Sequence, residues 1–368
     1  MNGNNLRALK GFFPIVSFFL VLLVASCSFP AGETGGVGPS SGVRERNLAA
    51  LGYEAIEMKK ISRDARFSSQ FRVNGQPVKL LIDSGANSTD LDNSLVQKLG
   101  LRIDEKSRVI SRGALGRPVT SRVGLGILTA GPVSALPFPF MIADEDAGIT
   151  ATSRYDGQLG LDALEALGAL VDLRTGTFWV PGKDSPNSEA ESVEPLGEKK
   201  GLGFSTLRLR PAGRLPHLVL ESRWNGRLVT WIVDTGAEVS VLSQESADLL
   251  NLETKPTPAR IIDASGDNAT VRSAVMENVF FDRLVLTEFQ VAVTSLPVVR
   301  KNFQDRNGRK VDGIIGMDFL ESTAALLDAS SRLLYVGDPS QAPVELAEPA
   351  VARRGGGELV LGLRYTDL

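Results

Sequence analysis

Residues 71–101 read FRVNGQPVKLLIDSGANSTDLDNSLVQKLGL, and residues 222–252 read SRWNGRLVTWIVDTGAEVSVLSQESADLLNL. A constant shift of 151 positions superimposes the two stretches and places Asp83 on Asp234. A repeat of this length in fixed register indicates an internal duplication, so each copy is expected to form one structural unit.

A second pair of blocks supports the duplication. Residues 156–162 (DGQLGLD) match residues 312–318 (DGIIGMD) at a shift of 156, and the blocks follow the same order in both halves. The five-residue difference between the shifts predicts a small insertion within the second copy. We therefore expect two lobes of the same fold.

Local signals in the two copies also agree. Asn-Gly at 74–75 and at 225–226 lies between strand-like runs, which predicts two hairpins. Each hairpin's second arm, ending in LLID or WIVD, is typical of a buried strand that leads directly into a loop. Both lobes are therefore predicted to be mainly β.

A short helix is expected eight residues after each Asp-x-Gly. Asp92 and Ser243 stand at matching positions and are good N-caps. Gly100 and Asn251 stand where each helix should end, and both residue types tolerate the left-handed backbone of a helix C-terminus.

These blocks set the domain boundaries. We predict a first lobe over residues 48–182, a polar linker over 183–200, a second lobe over 201–338 and a C-terminal tail over 339–368. The linker stretch KDSPNSEAESVEPLGEKK contains two prolines and many charges, which is typical of a segment outside a packed core.

Composition narrows the chemistry. The chain has 368 residues, one cysteine and one histidine, with a net charge of −3. A single cysteine excludes an internal disulfide, and a single histidine argues against His-rich metal sites and Ser-His-Asp catalysis. The small charge gives no indication of a nucleic-acid partner. Carboxylates are therefore the expected catalysts, with no metal or cofactor.

The N-terminus has the pattern of an export signal. A basic start is followed by the apolar run GFFPIVSFFLVLLVA and then by Val-Ala-Ser-Cys27, which resembles a bacterial lipobox. Residues 1–27 are predicted to be a lipoprotein signal peptide, with lipidation at Cys27 and a flexible tether over 28–47. By the same resemblance, Ser28 favours the outer membrane, facing the periplasm. An ordinary signal peptide with an incidental cysteine is the alternative.

The tetrapeptides DSGA at 83–86 and DTGA at 234–237 carry the chemistry. Two copies in register, each followed by an Asp-Gly-x-apolar-Gly block, resemble the retropepsin-like aspartic peptidases. The resemblance implies two such lobes in one chain, forming a pseudo-dimer with a central cleft. It also implies that the chain acts as a monomer, because both halves of the site are already present.

The resemblance implies a role for each matching residue. Asp83 and Asp234 correspond to the catalytic pair. Ser84, Gly85, Thr235 and Gly236 correspond to the supports of the active-site loops. Ala114, Gly116, Ala264 and Gly266 correspond to the tips of two mobile flap hairpins, and the apolar-Gly steps at 159–160 and 315–316 to the strands beneath the loops.

Two positions depart from the family pattern. Gln158 stands where the second copy has Ile314, and Asp90 stands where it has Val241. We therefore expect the first lobe to pack differently around Asp83.

Other acidic and basic residues have simpler interpretations. Three duplicated pairs are predicted to form turns or to hydrogen-bond backbone: Asp156 and Asp312, Asp162 and Asp318, and Asp172 and Asp328. His217 is predicted to be a structural or surface residue.

The leading hypothesis is an endopeptidase that hydrolyses peptide bonds outside the cytoplasm. The Asp83/Asp234 pair would activate the water, and the substrate would bind as an extended strand. The alternative is a non-catalytic envelope protein that keeps the aspartic protease fold and binds peptides.

Overall fold

The computed structural model describes residues 41–61, 66–143, 155–183, 204–304, 307–337, 358–361 and 364–367. The predicted signal peptide, the lipidation site Cys27, the tether up to residue 40 and all but the first linker residue lie outside these ranges.

The first lobe is built mainly from strands. In chain order its elements are helix α1 (Ser41–Ala50), strands β1 (Tyr53–Lys60), β2 (Phe67–Val73), β3 (Gln76–Ile82) and β4 (Asp90–Leu91), a 3-10 turn (Asn93–Leu95), helix α2 (Val96–Leu99), strands β5 (Arg102–Gly113), β6 (Pro118–Ala130), β7 (Val133–Ala143) and β8 (Gly157–Leu159), helix α3 (Leu161–Ala166), and strands β9 (Leu170–Asp172) and β10 (Thr177–Pro181).

From β1 onward the second lobe repeats this order, with one added strand (Arg210–Ala212) and one added helix (Pro297–Asn302). Its elements are β11 (Phe204–Arg208), β12 (Arg210–Ala212), β13 (Leu215–Trp224), β14 (Arg227–Val233), β15 (Val241–Ser243), α4 (Gln244–Leu250), β16 (Lys255–Asp263), β17 (Asn268–Phe281), β18 (Leu284–Thr294), α5 (Pro297–Asn302), β19 (Gly313–Ile315), α6 (Met317–Ser322), β20 (Leu326–Asp328) and β21 (Leu333–Gly337). Two further strands, β22 (Glu358–Leu361) and β23 (Arg364–Asp367), lie in the predicted tail.

The lobes share one topology. In the first, β3 pairs in parallel with β8, β8 pairs antiparallel with β4, and β4 pairs in parallel with β7. In the second, β14, β19, β15 and β18 make the same three pairings in the same directions. The predicted mainly β pair of retropepsin-like lobes is therefore confirmed.

The local predictions of turns and caps hold. Asn74 and Asn225 have φ of 49° and 48°, and the glycine after each also has positive φ, as a tight hairpin turn requires. The Asp92 side chain accepts from Ser94 N–H, and that of Ser243 from Ser246 N–H. Gly100 and Asn251 end their helices in the left-handed conformation.

A shared sheet joins the lobes. Strands β1, β10 and β9 of the first lobe continue into β20, β21 and β11 of the second. At its centre β9 pairs antiparallel with β20, with Val171 opposite Leu327. The shift of 156 relates these two residues, so the pseudo-two-fold axis of the duplication passes through this pair.

Two segments differ from the predicted organisation. Residues 41–47, placed in the tether, form most of α1, and Leu48 on the same helix is buried with Tyr53, Trp179 and Tyr335. Burial of this apolar side chain stabilises the helix against the shared sheet. The predicted tail contains β22 and β23, whose pairing partners are distant in sequence.

Candidate active site

Each catalytic candidate stands where a buried strand ends. Asp83 follows β3 and its N–H donates to the Leu159 carbonyl at 3.0 Å. Asp234 follows β14 and its N–H donates to the Ile315 carbonyl at 2.9 Å. The apolar-Gly steps at 159–160 and 315–316 therefore hold the two aspartates in the same way, as the family resemblance implied.

Ser84 and Thr235 join the two loops through a closed set of hydrogen bonds. Ser84 N–H donates to Thr235 Oγ1 at 2.9 Å, and Thr235 N–H donates to Ser84 Oγ at 3.0 Å. The two hydroxyls then donate to backbone carbonyls of the opposite lobe, Ser84 to Val233 at 2.9 Å and Thr235 to Ile82 at 3.0 Å. This arrangement fixes the loops relative to each other.

Replacing Thr235 with the isosteric valine is expected to destabilise the fold by about 3 kcal/mol, because the buried Ser84 N–H and Ile82 carbonyl both lose their partner. Denaturant unfolding measures the difference. Thr270→Val, at an exposed strand position, is the control and should change stability by less than about 0.5 kcal/mol. Equal stability of the two variants would contradict this role of the hydroxyl.

Glycine allows each carboxyl to reach the opposite loop. A Cβ added to Gly85 would lie 2.3 Å from Asp234 Cγ, and one added to Gly236 would lie 2.4 Å from Asp83 Cγ. Any side chain at either position would therefore overlap a carboxyl of the other lobe. Both aspartates are fully buried.

The two carboxyls act on each other electrostatically. Burial raises the pKa of Asp83 well above its usual range, and the neighbouring Asp234 raises it further by charge and by hydrogen bonding. Burial also raises the pKa of Asp234 to about 6, against the lowering effects of hydrogen bonds from Asp83 and Gly236 N–H. Such a pair titrates as a unit and holds a single proton over a range of pH.

The hydrogen bonds to the two carboxyls are unequal. Asp83 accepts from Gly85 N–H at 2.9 Å and from Ala86 N–H at 3.1 Å. Its second oxygen, Oδ2, accepts from the Gln158 side-chain amide at 3.0 Å. The second lobe has Ile314 at that position and supplies no such donor.

The sequence predicted that Gln158 and Asp90 would change the packing around Asp83. Gln158 does reach Asp83, but as a hydrogen-bond donor that holds the carboxylate in place. Asp90 is buried and accepts from Gln158 N–H at 3.2 Å, across the β4–β8 pairing. The departure from the family pattern thus forms a polar support for the aspartate.

Gln158→Met removes the donor while keeping side-chain length. Because a donor favours the ionised form of Asp83, its loss is expected to raise the pKa of the pair. A hydrogen bond to a charged group contributes about 1.5 kcal/mol, which corresponds to roughly one pKa unit.

The pH profile of kcat/KM measures this pKa shift. The limb at which Asp83 loses its proton lies on the basic side of the profile, because burial and the neighbouring Asp234 raise the pKa of this carboxyl well above its usual range. This limb should move upward in Gln158→Met. Gln70→Met, at an exposed position of β2, should leave it in place. An unchanged limb in Gln158→Met would mean that the amide only fills space.

Two buried basic residues lie near the loops: Arg66, which the sequence did not single out, and His217, which was predicted to be a structural or surface residue. Arg66 is 4% exposed, and its charge lowers the pKa of both Asp83 and Asp234. His217 is fully buried, with Nε2 3.1 Å from the Gly85 carbonyl oxygen, which excludes the predicted surface alternative. The shift of 151 pairs Arg66 with His217, five positions upstream of residue 71. This match of two basic residues in the register of the repeat is the sequence signal that could have identified them.

The predicted flaps are the hairpins β5–β6 and β16–β17. Their tips meet: Leu115 N–H of the first donates to Asp263 Oδ2 of the second at 2.8 Å. Ala114 and Ala264 are both fully buried, and Ala264 packs with Leu81 and Tyr155 of the opposite lobe. Gly116 and Gly266 have positive φ at the two turns.

The remaining duplicated aspartates support the fold, as predicted. Lys79 N–H donates to Asp156 at 2.8 Å, and Thr230 N–H donates to Asp312 at 2.9 Å. Backbone N–H donors to the other four are Thr89 to Asp162, Ser240 to Asp318, Arg174 to Asp172 and Ser331 to Asp328.

The described ranges contain no group of three or more His, Cys, Asp or Glu residues arranged to hold a metal ion. They also contain no helix long and apolar enough to cross a bilayer.

Two β lobes that bring a pair of Asp-[Ser/Thr]-Gly loops together define the retropepsin-like aspartic protease fold. The sequence profile of the aspartyl protease family matches residues 69–163 and 220–319, together more than half of the chain. The chain belongs to the aspartyl protease family.

Two curated relatives match parts of the chain. DNA damage-inducible protein 1 of Eremothecium gossypii is 31% identical over 116 residues, covering 31% of this chain and 23% of that protein. UBA domain-containing protein Mud1 of Schizosaccharomyces pombe is 29% identical over 141 residues, covering 36% of this chain and 40% of that protein. The match spans less than half the length of either relative.

Proposed function

We propose that this protein is an aspartic endopeptidase in which Asp83 and Asp234 together activate one water molecule for peptide-bond hydrolysis. The observation that carries the proposal is the reciprocal placement of the two carboxyls, each against the glycine of the opposite loop. Neither lobe contains both groups, so the reaction requires the pair.

The chemistry follows from a shared proton. When the pair holds one proton, the ionised carboxyl removes a proton from the water as it attacks the carbonyl carbon. The protonated carboxyl donates to the carbonyl oxygen, and a proton then passes to the leaving amine. Burial keeps the pair singly protonated at a pH where isolated aspartates would both be ionised.

A substrate strand is the expected ligand. An extended peptide can add to a sheet edge through main-chain hydrogen bonds, with side-chain pockets supplying preference. Each flap hairpin has such an edge, on its first strand, β5 or β16. No cofactor is required, because the two carboxyls supply both the acid and the base.

The test is cleavage of unfolded casein by the purified full chain in detergent, with and without a pepstatin-type inhibitor. Inhibitor-sensitive cleavage by a monomer supports the proposal. A protein that binds casein peptides without cleaving them would instead be the non-catalytic, peptide-binding envelope protein.

We also propose that the protein is lipid-anchored in a bacterial cell envelope, at the outer membrane facing the periplasm. The support is sequence alone: the only cysteine, Cys27, falls at the end of the apolar run in a lipobox-like context. One acyl chain anchors a protein only marginally, so stable attachment requires more than one.

Cys27→Ala is expected to abolish fatty-acid incorporation and to release the protein from the membrane fraction. Metabolic labelling with a fatty-acid analogue, followed by fractionation, measures both. Ser26→Ala is the neighbouring control and should remain labelled. A wild-type protein that is soluble and unlabelled would contradict the anchor.

A further inference from the structure

The end of the chain pairs with both flaps. Strand β22 adds in parallel to β16, and β23 adds antiparallel to β5. In both cases the tail strand pairs with the outer edge of a flap hairpin's first strand. The tail strand is therefore the last strand of that sheet.

The register of these pairings is symmetric. Leu361 lies opposite Asp263, and Arg364 lies opposite Gly113. A shift of 150 relates Gly113 to Asp263, so these are equivalent positions on the two flaps. The next three pairs on each side continue the match, ending with Glu358 opposite Arg260 and Asp367 opposite Ile110.

This symmetry locates the tail relative to the catalytic candidates. Two edges related by a two-fold axis run in opposite directions past that axis. A chain that runs in one direction along both edges is therefore parallel to one and antiparallel to the other, as β22 and β23 are. The duplication also relates Asp83 to Asp234, so the tail and the carboxyl pair share one pseudo-two-fold axis.

We propose that strands β22 and β23 act as a built-in competitive inhibitor that occupies the strand-binding edges of both flaps. An incoming peptide that adds to either edge must first displace β22 or β23, because a flap edge can pair with only one strand at a time. The proposal rests on the proposed peptidase function for its kinetic consequence, but the occupancy of the flap edges is independent of catalysis.

The covalent connection of the tail to the second lobe favours this arrangement. Twenty residues separate Gly337, at the end of β21, from Glu358, and attachment within one chain makes tail binding an intramolecular event with an effective concentration of millimolar order. A free tail peptide that inhibits with a constant of about 100 μM would therefore raise the apparent KM roughly tenfold when attached.

The first arm of the test compares the full chain with a chain ending at residue 357. Deletion is expected to lower the apparent KM about tenfold and leave kcat unchanged, as removal of a competitive inhibitor requires. A synthetic peptide of residues 358–368, added to the shortened chain, should restore the higher KM. A scrambled peptide should not.

The second arm separates backbone pairing from side-chain contacts. Val360→Pro with Thr366→Pro removes one N–H from each tail strand, and this double variant should behave like the deletion. Val360→Thr with Thr366→Val keeps both N–H groups and β-branched side chains, and should behave like the wild type. Thermal unfolding of each variant confirms that the lobes stay folded.

The third arm is independent of turnover. Amide hydrogen exchange of residues 110–113 and 260–263 should accelerate when the tail is deleted and slow again when the peptide is added, also in an Asp83→Asn background. Protection by the peptide with no cleavage by any form would support the tail proposal and refute the peptidase. Equal KM and equal exchange in the full and shortened chains would overturn the tail proposal while leaving the peptidase intact.

Discussion

Asp83→Asn and Asp234→Asn are each expected to reduce cleavage of unfolded casein by at least roughly 10³-fold. Asparagine keeps the size of the side chain but can neither carry the negative charge nor donate a carboxyl proton. The double variant is expected to be no worse than either single one, because residues that act as a unit are non-additive. Initial rates of casein cleavage at several enzyme concentrations measure the activity of each variant.

Mixing the two single variants tests where the site is assembled. Both loops lie in one chain and are joined by the Ser84–Thr235 hydrogen bonds, so mixing should restore no activity. Recovery on mixing would show that the lobes of different chains combine. Activity retained by Asp83→Asn alone would mean that the first lobe is a structural relic, in agreement with its unusual Gln158 and Asp90.

Gly236→Ala is expected to lower activity by at least about 100-fold, because misplacement of a reacting group by about 1 Å has effects of that size. The new Cβ would lie between 2.4 and 2.6 Å from the Asp83 carboxyl atoms. That carboxyl must move, and the hydrogen bonds from Gly85, Ala86 and Gln158 must change with it.

Gly226→Ala is the matched control for this variant. It introduces the same methyl group in the same lobe, at a hairpin turn where a Cβ has no heavy atom within 4 Å. Its φ of 75° costs about 1 kcal/mol of stability, yet activity should remain. Comparable activity of the two alanine variants would show that the close approach of the loops is unnecessary for catalysis.

Much of the fold could be predicted from the sequence because its signals are local and occur twice. The Asn-Gly turns at 74–75 and 225–226 require positive φ, which few residue pairs supply. The helix caps use different residues for the same geometry, as with Gly100 and Asn251. A repeated local signal in constant register indicates shared structure even when the intervening residues have diverged.

The remaining features depend on contacts between distant residues. Strands β22 and β23 each contain four residues, and their partners lie more than 90 positions away. The charge of Arg66 acts on carboxyls of both lobes, an effect that its match to His217 in the repeat does not indicate. Gln158 was identified as a departure from the family pattern, but its role as a donor required the β3–β8 pairing that places it beneath Asp83.

The single amide beneath Asp83 has a consequence for how such a site can evolve. In an enzyme assembled from two identical chains, one codon specifies both supports, and a glutamine gained on one side is gained on both. Duplication within one chain separates the two codons, so Gln158 could arise while Ile314 stayed apolar. The two aspartates can therefore diverge into an acid and a base under separate selection.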